Sequence, residues 1–247
     1  MVMSIKSLNS NYKNLTLITF TSSGYLDITQ NLCNSNTNNN VNYMINIFCL
    51  DEESYNYNFG SFTNKINFTE EEVVGLEKNT LLPQNSSNFG DLMFKKFQII
   101  YKSLMDFENV LYMDGDIVIK KDFIKQLTYN YKYKDIVFQN DKRPSKPNDI
   151  NLCAGFMLIK SNNKMKKFFN PENISIEKLN SYRTNDQTHI NKNKSKFNYN
   201  VLPLNEFPNG PKFYDNFEDI DPRIIHFNYV KGKEKIELMK KYDEWYL

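Results

Sequence analysis

The sequence predicts an α/β fold: a single domain over residues 1–247, with a mixed, mostly parallel central sheet flanked by helices. Three observations predict it. Short apolar runs alternate with stretches of helical periodicity along the chain. The opening unit reads strand, helix, strand, which is the crossover unit of a parallel sheet. No Pro-, Gly- or Ser-rich linker divides the 247 residues, a length that suits one large domain.

The elements follow in order. Leu15-Thr16-Leu17-Ile18-Thr19-Phe20 reads as a buried strand, Ser22-Ser23-Gly24 as a turn, and residues 25–33 as a helix. The Asn/Ser-rich run 34–42 reads as a polar loop. Residues 43–49 form a second strand that ends at Asp51. Residues 55–90 read as irregular and polar. A helix is expected over 91–105, because Met93, Phe97, Ile100 and Leu104 recur at helical spacing. Asn109-Val110-Leu111-Tyr112-Met113 is a third strand, and residues 135–139 and 154–159 are further strands. Residues 141–148 carry two prolines and read as a loop. Helical stretches follow at 162–169 and 186–192, then a strand at 223–227 and a closing helix at 234–245. Trp245 and Tyr246 read as packing residues, and His189 as an exposed helix residue.

Composition narrows the function classes. Lys+Arg 31 against Asp+Glu 29 gives a net charge of +2, which argues against a generally basic nucleic-acid binder. Hydrophobic residues are 40% and charged residues 24%, enough to bury a core. No apolar run approaches the roughly 18 residues of a membrane span, and the N-terminus lacks a signal-peptide core. Cys33, Cys49 and Cys153 have no metal-ligand spacing, and an odd count leaves one unpaired, so reduced thiols and a cytoplasmic location are expected. Asn and Lys are heavily used while Arg occurs only at positions 143, 183 and 223, the pattern of an AT-rich coding bias. The Asn-x-Ser/Thr sequons starting at Asn14, Asn67, Asn85, Asn173 and Asn193 are read as products of that bias.

The most informative segment is Val110-Leu111-Tyr112-Met113-Asp114-Gly115-Asp116-Ile117-Val118. An apolar strand runs into two carboxylates separated by one glycine. Alternation places Asp114 and Asp116 on the same side, where they repel unless a cation sits between them. Hard divalent ions such as Mn²⁺ or Mg²⁺ take such oxygen ligands and share them with phosphates. Gly115 lets a diphosphate approach the backbone. The carboxyl end of a strand is also where open α/β sheets place ligands. His226 ends an apolar strand and is a candidate third ligand, with a core histidine as the alternative.

The apolar strand–Asp-x-Asp segment resembles the hallmark of GT-A-type glycosyltransferases, Rossmann-like enzymes that use a nucleotide-diphospho-sugar. Other segments agree in order. Residues 17–25 resemble the first strand and turn that hold the nucleobase, which implies donor-binding roles for Thr21, Ser22 and Tyr25. Phe94-Lys95-Lys96-Phe97 resembles the basic helix before the acidic strand; Lys96 aligns best, with Lys95 a competitor. Leu152-Cys153-Ala154-Gly155-Phe156 resembles an Asn-x-Gly strand in which Cys153 replaces Asn. Asn185-Asp186-Gln187 resembles an Asp-Gln pair near the transferred sugar, and Asp186 also suits a helix N-cap. His226 with Gly232-Lys233-Glu234-Lys235 resembles a metal-binding His followed by the Gly-x-x-Lys that holds the diphosphate.

Phe207-Pro208-Asn209-Gly210 completes a pattern that looks closest to the plant-type and glycogenin-like retaining families, over roughly residues 15–245. The resemblance implies a Mn²⁺ or Mg²⁺ cofactor on Asp114, Asp116 and His226. It implies donor contacts from Thr21, Ser22, Tyr25, Lys96, Gly115, Gly232 and Lys235, and catalytic roles for Asp186, Gln187 and Lys96. Asp51 suits ribose or base binding and a helix N-cap equally. The implied partners are a nucleotide-diphospho-sugar donor, UDP-linked by family habit, and a glycan or glycoprotein acceptor bound by loops 139–149 and 205–218. Two rivals remain: Asp114-Gly115-Asp116-Ile117-Val118 also fits the first motif of haloacid-dehalogenase-like phosphatases, and the domain could bind nucleotide-sugar or glycan without turnover.

Overall fold

The computed structural model describes residues 15–68, 87–142, 150–174 and 186–247. Its main sheet has seven strands in the order β3-β2-β1-β4-β7-β6-β8. These are β1 Leu15–Thr21, β2 Ile45–Cys49, β3 Thr63–Asn67, β4 Asn109–Met113, β6 Ile136–Asn140, β7 Leu152–Lys160 and β8 Tyr199–Val201. β1, β2, β3 and β4 pair in parallel, β7 runs antiparallel to both β4 and β6, and β8 is parallel to β6. The mixed, mostly parallel sheet matches the expectation.

Helices cover both faces. α1 is Leu26–Asn38, α2 Glu52–Asn56, α3 Ser87–Asp106, α4 Ile124–Tyr131, α5 Asn163–Phe169, α6 Asp186–Lys192, α7 Gly210–Asn216 and α8 Gly232–Lys241. Strand alternation sorts the core. Val110 and Tyr112 pack with Phe97, Ile100 and Leu104 of α3 on one face. Leu111 and Met113 pack with Leu32 of α1 and Leu127 of α4 on the other. Each fully buried side chain of this kind contributes about 1.5–3 kcal/mol of burial free energy before entropy is charged. A separate two-stranded ribbon joins β5, Ile117–Ile119, antiparallel to β9, Ile224–His226. Val118, Ile225 and Phe227 of the ribbon meet Phe213 of α7 and Met239 of α8, with Trp245 and Tyr246 packed against them.

Several expectations need correction. The run 34–42 is not all loop: α1 continues to Asn38, with Ser35 and Asn36 buried. Their polar groups are satisfied, because Asn36 exchanges two hydrogen bonds with the Tyr43 backbone and the Ser35 hydroxyl accepts from Ile119 N. Segment 55–90 contains a strand, β3, whose mostly polar sequence pairs with β2 through the backbone, with Asn64 Nδ2 donating to Asn46 Oδ1 at 2.8 Å and Ile66 buried in the core. His189 is half-buried, with its ring 5.5 Å from those of Phe97 and Phe168. Most of the expected loop 141–148 lies outside the described residues, as does Asn185.

Candidate active site

Two strand pairings assemble the acidic pair with a distant imidazole. β4 and β7 pair as far as Met113 opposite Phe156, and Asp114 N then donates to Gly155 O at 2.8 Å. The ribbon pairs Ile117 with His226, and Phe227 N donates to Asp116 O at 3.1 Å. His226 Nε2 therefore stands 3.2 Å from Asp116 Oδ1. Asp114, Asp116 and His226 each present one ligand atom, and these atoms lie within 4.8 Å of one another.

The residues fit a divalent cation. Two carboxylates and one imidazole are a donor set for Mn²⁺ or Mg²⁺. Asp116 Oδ1 is buried and faces His226 Nε2 at 3.2 Å. Gly155 keeps the space open: a Cβ there would come within 2.5 Å of both Asp114 Oδ2 and His226 Cε1.

The imidazole is oriented from behind. Gln139 Nε2 donates to Phe207 O and Pro208 O at 3.2 and 2.8 Å, which turns Gln139 Oε1 toward His226 Nδ1 at 2.7 Å. Nδ1 must then carry a proton, and Nε2 faces the carboxylates. Burial works against a charge on the ring, but the Asp116 carboxylate outweighs it and holds the His226 pKa well above the ordinary imidazole value. Burial likewise raises Asp116, yet Lys235 and His226 together hold it far below the usual carboxylate range. Cys153 Sγ lies 3.6 Å from His226 Nδ1, and burial raises this thiol's pKa.

Two lysines reach the acids. Lys96 Nζ is buried between Asp114 Oδ1 at 2.9 Å and Asp186 Oδ2 at 2.5 Å. Burial lowers its pKa, but the two carboxylates reverse that and leave it raised. Lys95 turns elsewhere, over the Phe68 ring at 5.7 Å, so Lys96 is the lysine at the site. Lys235, in the first turns of α8, donates to Asp116 Oδ2. Gly232 opens that helix at φ +54°, a left-handed conformation that suits glycine. The helix N-terminus and Lys235 together favour an anion there.

The other expected residues line the carboxyl ends of β1 and β2. Thr21 ends β1 and accepts from Thr29 Oγ1 at 2.9 Å, and Ser22 precedes the short turn Ser23–Tyr25 that contains Tyr25. A Cβ on Gly115 would meet the same Thr29 Oγ1 at 3.0 Å, so close packing on α1 accompanies any ligand role for this glycine. Asp51 is the N-cap of α2 in a capping box with Ser54, and its Oδ2 also accepts from Ser23 N at 2.7 Å. Its carboxyl is tied to the loop, as the N-cap alternative anticipated.

On the far side, Gln187 Nε2 donates to Asp141 Oδ2 at 2.8 Å, and Asp186 starts α6 against Lys96. Sequence reading missed Gln139 and Asp141. Their signal was present: both are polar side chains at alternate positions directly after the apolar run Ile136-Val137-Phe138.

A mixed sheet of this topology, with an acid pair at the end of a central strand, defines the GT-A class. The chain belongs to the nucleotide-diphospho-sugar transferase family, whose model matches residues 42–239. It is 25% identical over 258 residues to a UDP-galactose:fucoside alpha-3-galactosyltransferase of Dictyostelium discoideum, covering 81% of this chain and 38% of that protein. The chain thus spans well under half of that relative's length. Among solved structures, galactosyltransferase LgtC in complex with donor and acceptor sugar analogs aligns with a TM-score of 0.57 at 13% identity, over 94% of this chain and 95% of that one. A glycosyltransferase involved in glycosylation of the major capsid of PBCV-1 aligns with a TM-score of 0.58 at 10% identity, over 92% and 99%. Family membership sets aside the haloacid-dehalogenase-like alternative. Among the described residues no helix is long and apolar enough to cross a membrane.

Proposed function

We propose that this chain is a metal-dependent glycosyltransferase that moves a sugar from a UDP-sugar to a glycan or glycoprotein acceptor with retention at the anomeric carbon. The observation that carries the reading is the convergence of Asp114, Asp116 and His226 around the side-chain-free Gly155. Family membership supports the donor class. The galactosyl donor and fucoside acceptor named for the Dictyostelium relative make UDP-galactose and a fucoside the first pair to try. A fungal core-mannan synthase of the same fold class, aligned with a TM-score of 0.50, is known in a Mn/GDP form, which supports manganese. Three free, buried cysteines accord with a cytoplasmic setting, and the family match over 42–239 accords with one domain.

In this reading Asp114, Asp116 and His226 would hold the cation, which would supply positive charge for a departing diphosphate. Lys235 turns from Asp116 to a phosphate oxygen, and the start of α8 adds its N–H dipoles. Lys96 keeps Asp114 and Asp186 in fixed relation by neutralising both. Asp186 and Gln187 face the sugar as its anomeric carbon gains positive charge. The bond from that carbon to the diphosphate breaks and the bond to the acceptor oxygen forms on the same face. The acceptor's proton passes to the departing phosphate.

The test is turnover of UDP-galactose with Mn²⁺, reading UDP release and transfer to para-nitrophenyl α-L-fucoside. The reading expects release that stops on chelation. UDP binding without turnover of UDP-galactose, UDP-glucose or UDP-N-acetylglucosamine would replace it with the non-catalytic binding alternative.

A further inference from the structure

We infer that Tyr229 is a stacking platform for the acceptor sugar, held at the rim of the site by the Asp141 carboxylate. This rests on the glycosyltransferase reading. Tyr229 adopts φ +68°, a left-handed conformation that an aromatic side chain rarely takes. Such a conformation persists only where the surroundings impose it, and here they do. The preceding residue, Asn228, is locked three ways. Its Nδ2 donates to Asp141 Oδ1 at 2.9 Å, its Oδ1 accepts from Gly210 N at 2.7 Å, and its carbonyl accepts from Tyr214 Oη at 3.2 Å. The backbones pack so closely that a Cβ on Gly210 would come 2.5 Å from Asn228 O.

The Tyr229 hydroxyl then donates to Asp141, 3.1 Å from Oδ2 and 3.2 Å from the carbonyl. Asp141 is only 3% exposed, and the same Oδ2 accepts from Gln187. The ring is thus pinned at its polar end between the Gln187 side and the strand end that carries His226, three residues before it. Yet Tyr229 remains 44% exposed. Glycine or asparagine would adopt this backbone without strain, so what the position gains from tyrosine is the ring and the hydroxyl that anchors it. A rigid, anchored, half-exposed aromatic face beside a sugar-transfer site matches the apolar C–H face of a pyranose.

The competing role is a pillar, in which the hydroxyl merely ties the loop to Asp141. Two variants separate them: Tyr229→Phe keeps the ring and loses the tie, whereas Tyr229→Asn keeps the backbone conformation and loses the ring. Saturation-transfer NMR is run with UDP, MnCl₂ and methyl α-L-fucopyranoside, methyl β-D-galactopyranoside or methyl β-D-glucopyranoside as probes. The wild type should saturate at least one probe, chiefly on one C–H face. Tyr229→Asn should weaken that probe about tenfold and Tyr229→Phe at most about threefold, as expected for one aromatic contact. Equal saturation with Tyr229→Asn, loss with Tyr229→Phe, or no saturation in a wild type that binds UDP would overturn the platform. A wild type that fails to bind UDP with Mn²⁺ in calorimetry would overturn the underlying reading instead.

Discussion

Gln139 Oε1 lies 2.7 Å from His226 Nδ1, and the Gln139 amide nitrogen is spent on two backbone carbonyls. The ring therefore has one available orientation, with Nε2 turned to Asp116. Gln139→Leu removes that constraint. It should weaken Mn²⁺ binding by about 10–100-fold, as loss of a partner behind a metal ligand does. It should also cost about 1–3 kcal/mol of stability through the stranded carbonyls of Phe207 and Pro208. Paramagnetic titration and denaturant unfolding read the two effects separately. Unchanged Mn²⁺ affinity would show that the ring is held by something else.

Gly155→Ala is the sparest test of the cation site. Its Cβ would stand 2.5 Å from both Asp114 Oδ2 and His226 Cε1. Turnover of UDP-galactose should fall by at least about a hundredfold, the scale expected when transition-state charge loses its partner. Far-UV circular dichroism should stay native, because the added methyl group enters the site and not the core. Activity within threefold of wild type would contradict the assignment.

Most of the site was legible in the sequence because its signals are local. The acid pair follows an apolar strand, and His226 ends another, so period-two alternation points each side chain. The sequence resemblance favours Lys96, with Lys95 as a competitor; helix phase separates them, with Lys96 over Tyr112 at 4.8 Å and Lys95 over Phe68. Other features were illegible because long-range partners make them. β3 has no apolar alternation and is held by its pairing with β2, by the Asn64–Asn46 side-chain bond and by the burial of Ile66. The last turn of α1 reads as a polar loop until Tyr43 and Ile119 supply its hydrogen bonds. Asp141 is a hub only once Asn209, Asn228 and Gln187 have been brought to it by three separate segments.

Asp51 gives a stability prediction with a pH signature. Burial raises this carboxyl, but bonds from Ser23 and Ser54 outweigh it and lower the pKa below the ordinary carboxylate value. A depressed folded-state pKa stabilises the fold above the unfolded-state value and loses that contribution as pH falls through the folded one. Asp51→Ala should therefore cost about 1 kcal/mol at neutral pH, typical of a lost N-cap, and the gap from wild type should narrow in strong acid. Urea unfolding at pH 7 and pH 3 compares them. A gap that widens in acid would contradict the capping role.

Lys235→Ala should weaken UDP binding about tenfold or more, the worth of one charge-assisted contact at a helix N-terminus. The loss should shrink as salt is raised. An equal dissociation constant for the variant would place the diphosphate elsewhere.

The central claim is that Asp114, Asp116 and His226 hold a cation that grips a diphosphate. Calorimetric titration of UDP with and without Mn²⁺, on the wild type and on Asp116→Asn, tests it most directly. The account predicts that Mn²⁺ tightens UDP binding at least about tenfold in the wild type and has no effect on the variant. Equal UDP affinity in Mn²⁺ and in chelator for the wild type, or the same Mn²⁺ enhancement in Asp116→Asn, would contradict it.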